Sequence, residues 1–295
     1  MVTRSYDLFG LTVASAFAIP WAPETEAQAE ADVSIRRAGA EADGSDGFRF
    51  EVPNVARYRI VGGREIIVDP MPGASEQAIR LYLLGSALGV LLHQRGLLVL
   101  HANAIVIDGA AVLFMGPSGA GKSTLAAWFA ARGYPVLTDD ICAVEVGADG
   151  KARVLPGLNR LRLSDEASER LAIDMSNGQP CPSTDKVEIG MPRGEVVRSA
   201  RLSACYALTA LPEAEHFNVA PLAKMDAVEA LMANTYRGHA LPQLGGNAIH
   251  FESCMKIVAR TRCFEVSRAK NWIRFDTVAE AMLAHARETI RRGSS

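Results

Sequence analysis

The sequence lacks the usual marks of a disulfide-stabilised, zinc-binding or nucleic-acid-binding protein. Its five cysteines are odd in number and none is spaced C-x-x-C, which argues against a disulfide framework and a zinc site. The formal net charge is −2 and no long run of lysine or arginine occurs, so no electrostatic footprint for nucleic acid or an anionic membrane is present. No apolar run reaches the length of about 18 residues that a transmembrane helix needs. We therefore expect reduced thiols, a cytoplasmic location, and a protein, a peptide or a small molecule as partner.

The first 30 residues carry a weaker, competing pattern. Arg4, an apolar stretch over residues 8–19 and the tripeptide 27–29 (AQA) loosely resemble a signal peptide with its cleavage site. Asp7 and other polar interruptions weaken that pattern. The composition, 49% hydrophobic and 22% charged, is ordinary for a globular protein, and we favour the cytoplasmic interpretation.

A glycine-rich motif over residues 116–124 organises the chain. It fits G-x-x-x-x-G-K-[ST] and consists of Gly116, Pro117, Ser118, Gly119, Ala120, Gly121, Lys122, Ser123 and Thr124. The preceding residues 110–115 (AAVLFM) predict a buried strand, and residues 122–132 (KSTLAAWFAAR) predict an amphipathic helix. A strand, a glycine loop and a helix in this order predict a nucleotide-binding P-loop, or Walker A motif.

The chemistry of the motif follows from its residue types. Glycines allow a tight turn in which successive backbone N–H groups face a phosphate, and the helix N-terminus adds partial positive charge there. We expect Lys122 to reach the β- and γ-phosphates of ATP and the Ser123 hydroxyl to ligate Mg²⁺.

Two further polar elements are expected beside the motif. Asp139 and Asp140 end the strand that follows the P-loop helix, and the carboxyl ends of strands in an α/β sheet face the ligand crevice. Neighbours on a strand point to opposite faces, so both aspartates face the nucleotide only if the chain turns there. One would serve Mg²⁺ and the other would accept a proton from an attacking hydroxyl. His101 is expected to begin a strand that lies beside the P-loop strand, and the residues alone favour an ordinary structural histidine there.

The whole pattern predicts an α/β protein in two parts. Residues 1–72 predict short strands and turns, including a hairpin at Gly62-Gly63, and we expect a small β-rich N-terminal lobe that packs on the core or docks a partner. Residues 73–295 predict alternating helices and strands, starting with a buried helix over residues 75–95, and form the expected catalytic domain.

Residues 100–144 resemble the catalytic domain of the HPr kinase/phosphorylase family. That family has, in order, a histidine, a hairpin, a P-loop ending G-K-S, an Arg-Gly pair and an apolar run ending Asp-Asp. Here these elements are His101, the P-loop, Arg132-Gly133 and Asp139-Asp140. The resemblance covers this segment well, the last 150 residues or so only in pattern and the first 70 or so hardly at all. It implies a P-loop core of the HPr kinase/PEP-carboxykinase type, and a homo-oligomer is in keeping with it because members are often hexamers.

The resemblance also implies a function and site roles. The function is an ATP- and Mg²⁺-dependent kinase that phosphorylates a serine hydroxyl of a protein or peptide. Carried over, Asp139 is assigned as the base, Asp140 and Ser123 as the metal ligands, and His101 as a helper; which aspartate takes which role stays open. The glycine-rich signature downstream of the aspartates and the matching N-terminal region are absent, so the resemblance implies neither phosphorylase activity nor HPr as substrate. The chain looks closer to stand-alone relatives from modified-peptide clusters, some of which phosphorylate a lasso-type precursor peptide.

Other functions and residues remain as alternatives. A small-molecule kinase, including a carboxykinase, and a non-catalytic nucleotide sensor are both compatible with the motif. A transporter-type ATPase is disfavoured, because neither an L-S-G-G-Q helix nor a later strand ending Asp-Glu occurs. Five basic residues are weaker candidates for charge neutralisation or peptide binding: Arg160, Arg162, Lys186, Arg193 and Arg237.

Overall fold

The computed structural model describes residues 3–26, 30–39, 46–182, 184–191, 197–211, 217–269 and 271–293. Its strands are β1 (Arg4–Leu8), β2 (Leu11–Ser15), β3 (Glu24–Thr25), β4 (Val33–Arg37), β5 (Phe48–Val52), β6 (Ala56–Val61), β7 (Glu65–Pro70), β8 (Leu98–Leu100), β9 (Ala102–Ile107), β10 (Ala110–Met115), β11 (Val136–Thr138), β12 (Cys142–Val146), β13 (Ala152–Val154), β14 (Arg160–Ser164), β15 (Gln179–Pro180), β16 (Lys186–Gly190), β17 (Ala200–Leu211), β18 (Asn218–Pro221) and β19 (Arg262–Ala269).

The helices are α1 (Glu76–Tyr82), a π-helical turn (Leu83–Ala87), α2 (Leu88–Gln94), α3 (Lys122–Ala131), α4 (Asp165–Arg170), α5 (Lys224–Ala233), a 3₁₀ turn (Gly238–Ala240), α6 (Asn247–Arg260) and α7 (Phe275–Gly293). In the part of the chain that is described, no helix is long and apolar enough to cross a bilayer.

Strands β1 to β7 form the first sheet, in the order β3-β1-β2-β4-β7-β6-β5. The sequence alone predicts one strand over residues 6–17, and that prediction is wrong. The structure has two strands there, because Phe9 and Gly10 adopt positive φ and reverse the chain between β1 and β2. Buried side chains of this sheet, such as Tyr58 and Ile60, form one apolar cluster with buried side chains of α1, the π turn and α2. The division into residues 1–72 and 73–295 stays a prediction.

The glycine motif follows β10, which is a central strand of the second sheet. The strand order of this sheet is β11-β9-β10-β17-β13-β12-β8, and β19 pairs with the carboxyl-terminal part of β17. Strands β10, β17 and β19 are parallel, whereas β9 is antiparallel to β10. Since the carboxyl ends of the parallel strands meet at one edge, the segments that follow β10 and β19 lie close together.

Helices cover both faces of this sheet. Side chains that alternate along β10 separate into two clusters: Val112 and Phe114 pack with α3 and α7, whereas Leu113 and Met115 pack with α5 and α6. The resulting three-layer α/β arrangement buries β10 completely, as its apolar sequence predicts. A small third sheet, β14-β16-β15, lies against α3 through β14.

Candidate functional site

The glycine motif joins β10 to α3, which confirms the predicted strand, loop and helix context. Gly116, Gly119 and Gly121 all have positive φ, and a Cβ on Gly116 would lie 2.6 Å from the backbone oxygen of Leu208. Only glycine fits such a conformation at such a close approach. Gly121 caps α3 in the left-handed conformation, so Lys122 and Ser123 begin the first turn of the helix, as expected.

The Lys122 side chain is folded back onto the loop. Its Nζ donates to the carbonyl oxygens of Gly116 at 2.7 Å and Pro117 at 3.1 Å. Burial lowers the pKa of Lys122 to about 8, although the charge of Asp139 opposes that shift. Within the described residues this buried ammonium binds carbonyl oxygens and has no carboxylate in an ion pair with it. A phosphate at the loop would supply the missing anion.

Asp139 faces the start of α3. One of its carboxylate oxygens accepts a hydrogen bond from Ser123 Oγ at 3.1 Å, and the other accepts one from the backbone N–H of Arg162 at 3.1 Å. The side chain is buried, and this burial together with the charge of Asp140 raises its pKa. A buried carboxylate beside a hydroxyl at a glycine loop is a donor pair that suits Mg²⁺.

Asp140 turns toward the same site because the chain bends there. Its φ of 83° lies in the left-handed region, so Asp139 and Asp140 do not alternate across a strand. The Asp140 carboxylate lies 3.0 Å from His101 Nδ1 and accepts a hydrogen bond from Arg162 Nη1 at 2.6 Å. Burial favours the neutral acid, but the His101 hydrogen bond and the Arg162 charge outweigh it and hold the pKa of Asp140 well below its usual range.

Arg162 is the basic residue that ties the two aspartates together. In addition to Asp140, its guanidinium binds Glu188 at 2.8 Å, and these two carboxylates raise its pKa despite the opposing effect of burial. Arg160, buried behind it, shares Glu188 at 2.6 Å and does not contact either aspartate. Of the other weaker candidates, Lys186 lines a cavity at the glycine loop and Arg237 lines a second cavity beside it, both described below. Arg193 lies outside the described residues.

The predicted site residues surround two adjoining cavities. The first, called the glycine-loop cavity, has a volume of about 480 Å³ and is lined by Ser118, Gly119, Gly121, Lys122, Ser123, Thr124, Asp139 and Lys186 among others. The second, called the side cavity, has a volume of about 540 Å³ and is lined by Gly116 and Pro117 among others. His101, Asp140 and Arg162 line both cavities, whereas Ala120 is buried under the loop.

A larger cavity of about 770 Å³ lies elsewhere, between the first sheet and α6. It is lined by His93 and His250, among others, and none of its lining residues belongs to the glycine motif or the aspartate pair. Size alone does not make a cavity suitable for phosphate binding. We therefore place the candidate site at the two cavities that meet at Asp140, because residues of the glycine motif and the aspartate pair line them.

Arg268 and Trp272 are site residues that sequence reasoning missed. The Arg268 guanidinium is buried and donates to the carbonyl oxygen of Ala120 at 2.5 Å, so it braces the glycine loop from the end of β19. Trp272 lines the glycine-loop cavity with its ring 5.1 Å from that of Phe275. The available signal was their position, since Arg268 lies near the end of an apolar strand and Trp272 just after it, and such strand ends face the ligand crevice.

The donor groups beside the glycine loop are of the kind that hold Mg²⁺. Among the described residues no group of three His, Cys, Asp or Glu side chains forms a metal centre. Mg²⁺ is usually held by one or two carboxylates, substrate phosphates and water, and Ser123 with Asp139 offers a hydroxyl and a carboxylate of that kind. The donor set therefore fits a magnesium ion that arrives with its nucleotide.

Comparison with solved structures finds distant likenesses. The chain is similar, at 12% identity, to the solved structure of the Hpr(Ser) kinase/phosphatase from Coxiella burnetii, with a TM-score of 0.35 over 67% of this chain and 99% of that one. No protein-family model and no curated protein matches the chain. At such identity and TM-score the likeness establishes no activity, and the functional assignment depends on the geometry of the site.

Proposed function

We propose that this protein is a Mg²⁺-dependent kinase that transfers the γ-phosphoryl group of ATP to a hydroxyl group, in particular a serine of a protein or peptide. The single observation that carries the proposal is that Asp139 and Asp140 both face the glycine loop. One carboxylate is hydrogen-bonded to Ser123 and the other lies against His101. A nucleotide sensor needs only the first of these arrangements, whereas a transferase needs both.

We assign Ser123 and Asp139 to the metal ion, which reverses the order implied by the family resemblance. Their 3.1 Å hydrogen bond places a hydroxyl and a carboxylate on one side of the loop, next to the expected phosphates. The ion would neutralise charge on the phosphate oxygens. Because burial raises the pKa of Asp139, this carboxylate gains most from a neighbouring cation.

We assign Asp140 to the acceptor hydroxyl. This residue lines both the glycine-loop cavity and the side cavity, whereas Asp139 lines only the first. Its depressed pKa keeps it ionised at neutral pH, so it accepts the hydrogen bond of an incoming hydroxyl and orients that oxygen. Phosphoryl transfer needs mainly such positioning and charge stabilisation. As the acceptor oxygen bonds to the γ-phosphorus and the bond to the ADP leaving group breaks, the hydroxyl proton passes to the Asp140 carboxylate. His101 and Arg162 hold the carboxylate in place.

Arg162, Lys122 and Arg268 supply positive charge around the transferring group. Lys122 would exchange its two carbonyl partners for phosphate oxygens, a change from neutral to charge-assisted hydrogen bonds. Arg162 is held rigidly by Asp140 and Glu188. Fixed charges of this kind stabilise a transition state at little cost in reorganisation.

Phosphate transfer from γ-labelled ATP to a library of serine-containing peptides tests the proposal. We expect Mg²⁺-dependent labelling of some peptides, its loss in Lys122→Met, and its loss with retained ATP binding in Asp140→Asn. Asp69→Asn is a matched control, since this aspartate is half-exposed on β7 and pairs only with Arg57 in the described part of the chain. Tight ATP binding without ADP formation with any acceptor would establish the sensor alternative, and ADP formation only with metabolites would establish a small-molecule kinase.

A further inference from the structure

The side cavity adjoins the glycine-loop cavity at His101, Asp140 and Arg162, which line both. Residues 233–237 also line the side cavity, and because Ala233 and Arg237 are exposed we call this segment its outer wall. In-line phosphoryl transfer brings the accepting oxygen to the phosphorus opposite the leaving group. If the glycine-loop cavity holds the triphosphate, the cavity that shares Asp140 with it is where an acceptor enters.

The outer wall of the side cavity is built into the fold rather than being a loose loop. The backbone N–H of His101 donates to the carbonyl of Asn234 at 2.7 Å, and that of Tyr236 donates to the carbonyl of Val99 at 2.9 Å. The Tyr236 ring packs on Gly89 of α2 so closely that a Cβ there would lie 2.8 Å from it. The wall is thus fixed to the strand end that carries His101.

Helix α1 and the π turn also line the side cavity, through Leu81, Tyr82 and Gly85. A π-helical turn widens a helix locally, and such turns occur often at functional sites. Gly85 faces the Tyr236 hydroxyl, which a Cβ would approach to 3.2 Å. Residues 81–85 therefore shape this cavity together with His101, Asp140 and Arg162.

The side cavity contains two arginines with different surroundings. Arg162 is already bound to Asp140 and Glu188. Arg237 is exposed, lies 5.5 Å from the ring of Tyr236, and forms no ion pair with any of the described residues. It also adopts a φ of 53°, in the left-handed region that an arginine seldom occupies. The neighbouring polar side chains are engaged: Asn234 donates to Ala230, and Thr235 contacts His250.

We propose that Arg237 selects acceptors that carry a carboxylate close to the accepting hydroxyl. This proposal rests on the proposed kinase function. The hydroxyl would enter past Asp140, and the carboxylate would lie at the cavity mouth against the unpaired guanidinium, where a bidentate pair is possible. The carboxylate can come from an acidic residue next to the serine or from the end of a peptide chain, since the two have the same chemistry.

Peptide binding tests the proposal independently of catalysis. Fluorescent serine peptides are titrated by anisotropy into protein saturated with Mg²⁺ and a non-hydrolysable ATP analogue. One pair compares Ser-Asp with Ser-Asn in amidated peptides, and a second compares a terminal serine as free acid with its amide. We expect at least one carboxylate peptide to bind about fivefold more tightly than its amide partner. The pair that shows the difference identifies the source of the carboxylate.

Variants of Arg237 separate charge recognition from structure. Arg237→Asn removes the charge but keeps a residue that tolerates positive φ, so it should abolish the preference without unfolding the wall. Arg237→Glu should reverse the preference. The control Lys224→Glu makes the same charge change at the start of α5, outside the side cavity, and should leave the preference intact.

The outcomes distinguish the two proposals. Equal binding within both peptide pairs, or an equal loss in Lys224→Glu, would overturn the role of Arg237. A carboxylate preference that disappears in Arg237→Asn, with no phosphate transfer to any bound peptide, would retain the carboxylate site and refute the kinase. Transfer that is equally efficient to carboxylate and amide peptides would retain the kinase and refute the selectivity.

Discussion

Removing the Arg162 side chain is the sharpest test of how the site is held together. In Arg162→Met the guanidinium that binds Asp140 at 2.6 Å and Glu188 at 2.8 Å is lost, while the backbone N–H that binds Asp139 remains. All three side chains are less than one fifth exposed, so each carboxylate is left largely buried with one fewer partner. Breaking a buried pair costs about 3–5 kcal/mol.

We expect the lower end of that range, about 3 kcal/mol. The reason is that Asp140 keeps His101 and Glu188 keeps Arg160. Urea unfolding followed by circular dichroism measures the loss, and for a slope of about 3 kcal/mol per molar urea the midpoint falls by about 1 M. Arg36→Met is the matched control: its ion pair with Glu65 is equally short at 2.6 Å but about one third exposed, and we expect a loss of less than about 1 kcal/mol.

The effect of Arg162→Met also has a defined pH dependence. The folded-state pKa of Asp140 lies below the ordinary value of about 3.9. The ionised Asp140 carboxylate therefore stabilises the fold fully above about pH 3.9. This stabilisation is lost as the pH falls through the lower, folded-state pKa. The difference between wild type and variant should be largest near neutral pH and shrink below about pH 4. An unchanged midpoint at pH 7, or a difference that is as large at pH 3 as at pH 7, would refute the reasoning.

Three further predictions concern the glycine loop, the metal and the wall of the side cavity. Lys122→Met should weaken ATP binding about tenfold, as measured by calorimetry. The ATP affinity of the wild type should fall as the pH rises above about 8, where the lysine loses its charge, and a pH-independent affinity would contradict this. Asp139→Asn should raise the Mg²⁺ concentration needed for nucleotide binding. Of the two proteins, only the wild type should lose Mg²⁺ affinity as the pH falls through the raised pKa of Asp139. Identical Mg²⁺ titrations of wild type and variant would exclude Asp139 as the ligand. Gly89→Ala should lower the free energy of unfolding by about 1–3 kcal/mol in urea, because the added Cβ displaces Tyr236. Gly39→Ala is the control, since its Cβ meets open space and should cost little. Equal losses in the two variants would refute the packing of Tyr236 on Gly89.

Several site features were predictable because they depend on local sequence. A glycine loop between an apolar strand and a helix requires only residue types and their spacing, and β10 and α3 confirm it. The need for a turn at the aspartate pair also followed from strand geometry, and the positive φ of Asp140 is that turn. The first sheet was predicted less well, since Phe9 adopts a conformation that its residue type does not announce.

Other features depend on residues far apart in the chain. Arg160 and Arg162 lie two residues apart on β14, so they share one face of the strand, and both bind Glu188. Only Arg162 of the two pairs with Asp140, because the placement of β14 beside the aspartate pair decides which position along the strand comes within reach. Arg268 contacts a loop carbonyl 148 positions away. No local pattern distinguishes such an arginine from a solvated one.

The sequence by itself determined that a glycine loop would join a buried strand to a helix and that two carboxylates would end the next strand, since both follow from short-range geometry and residue chemistry. The tertiary structure decided which carboxylate faces Ser123 and which faces His101, and that residues 233–237 close a second cavity beside them. These arrangements depend on the order in which strands pair and on which helix covers each face of a sheet. Such choices are set by the packing of the whole chain and leave no trace in any one segment.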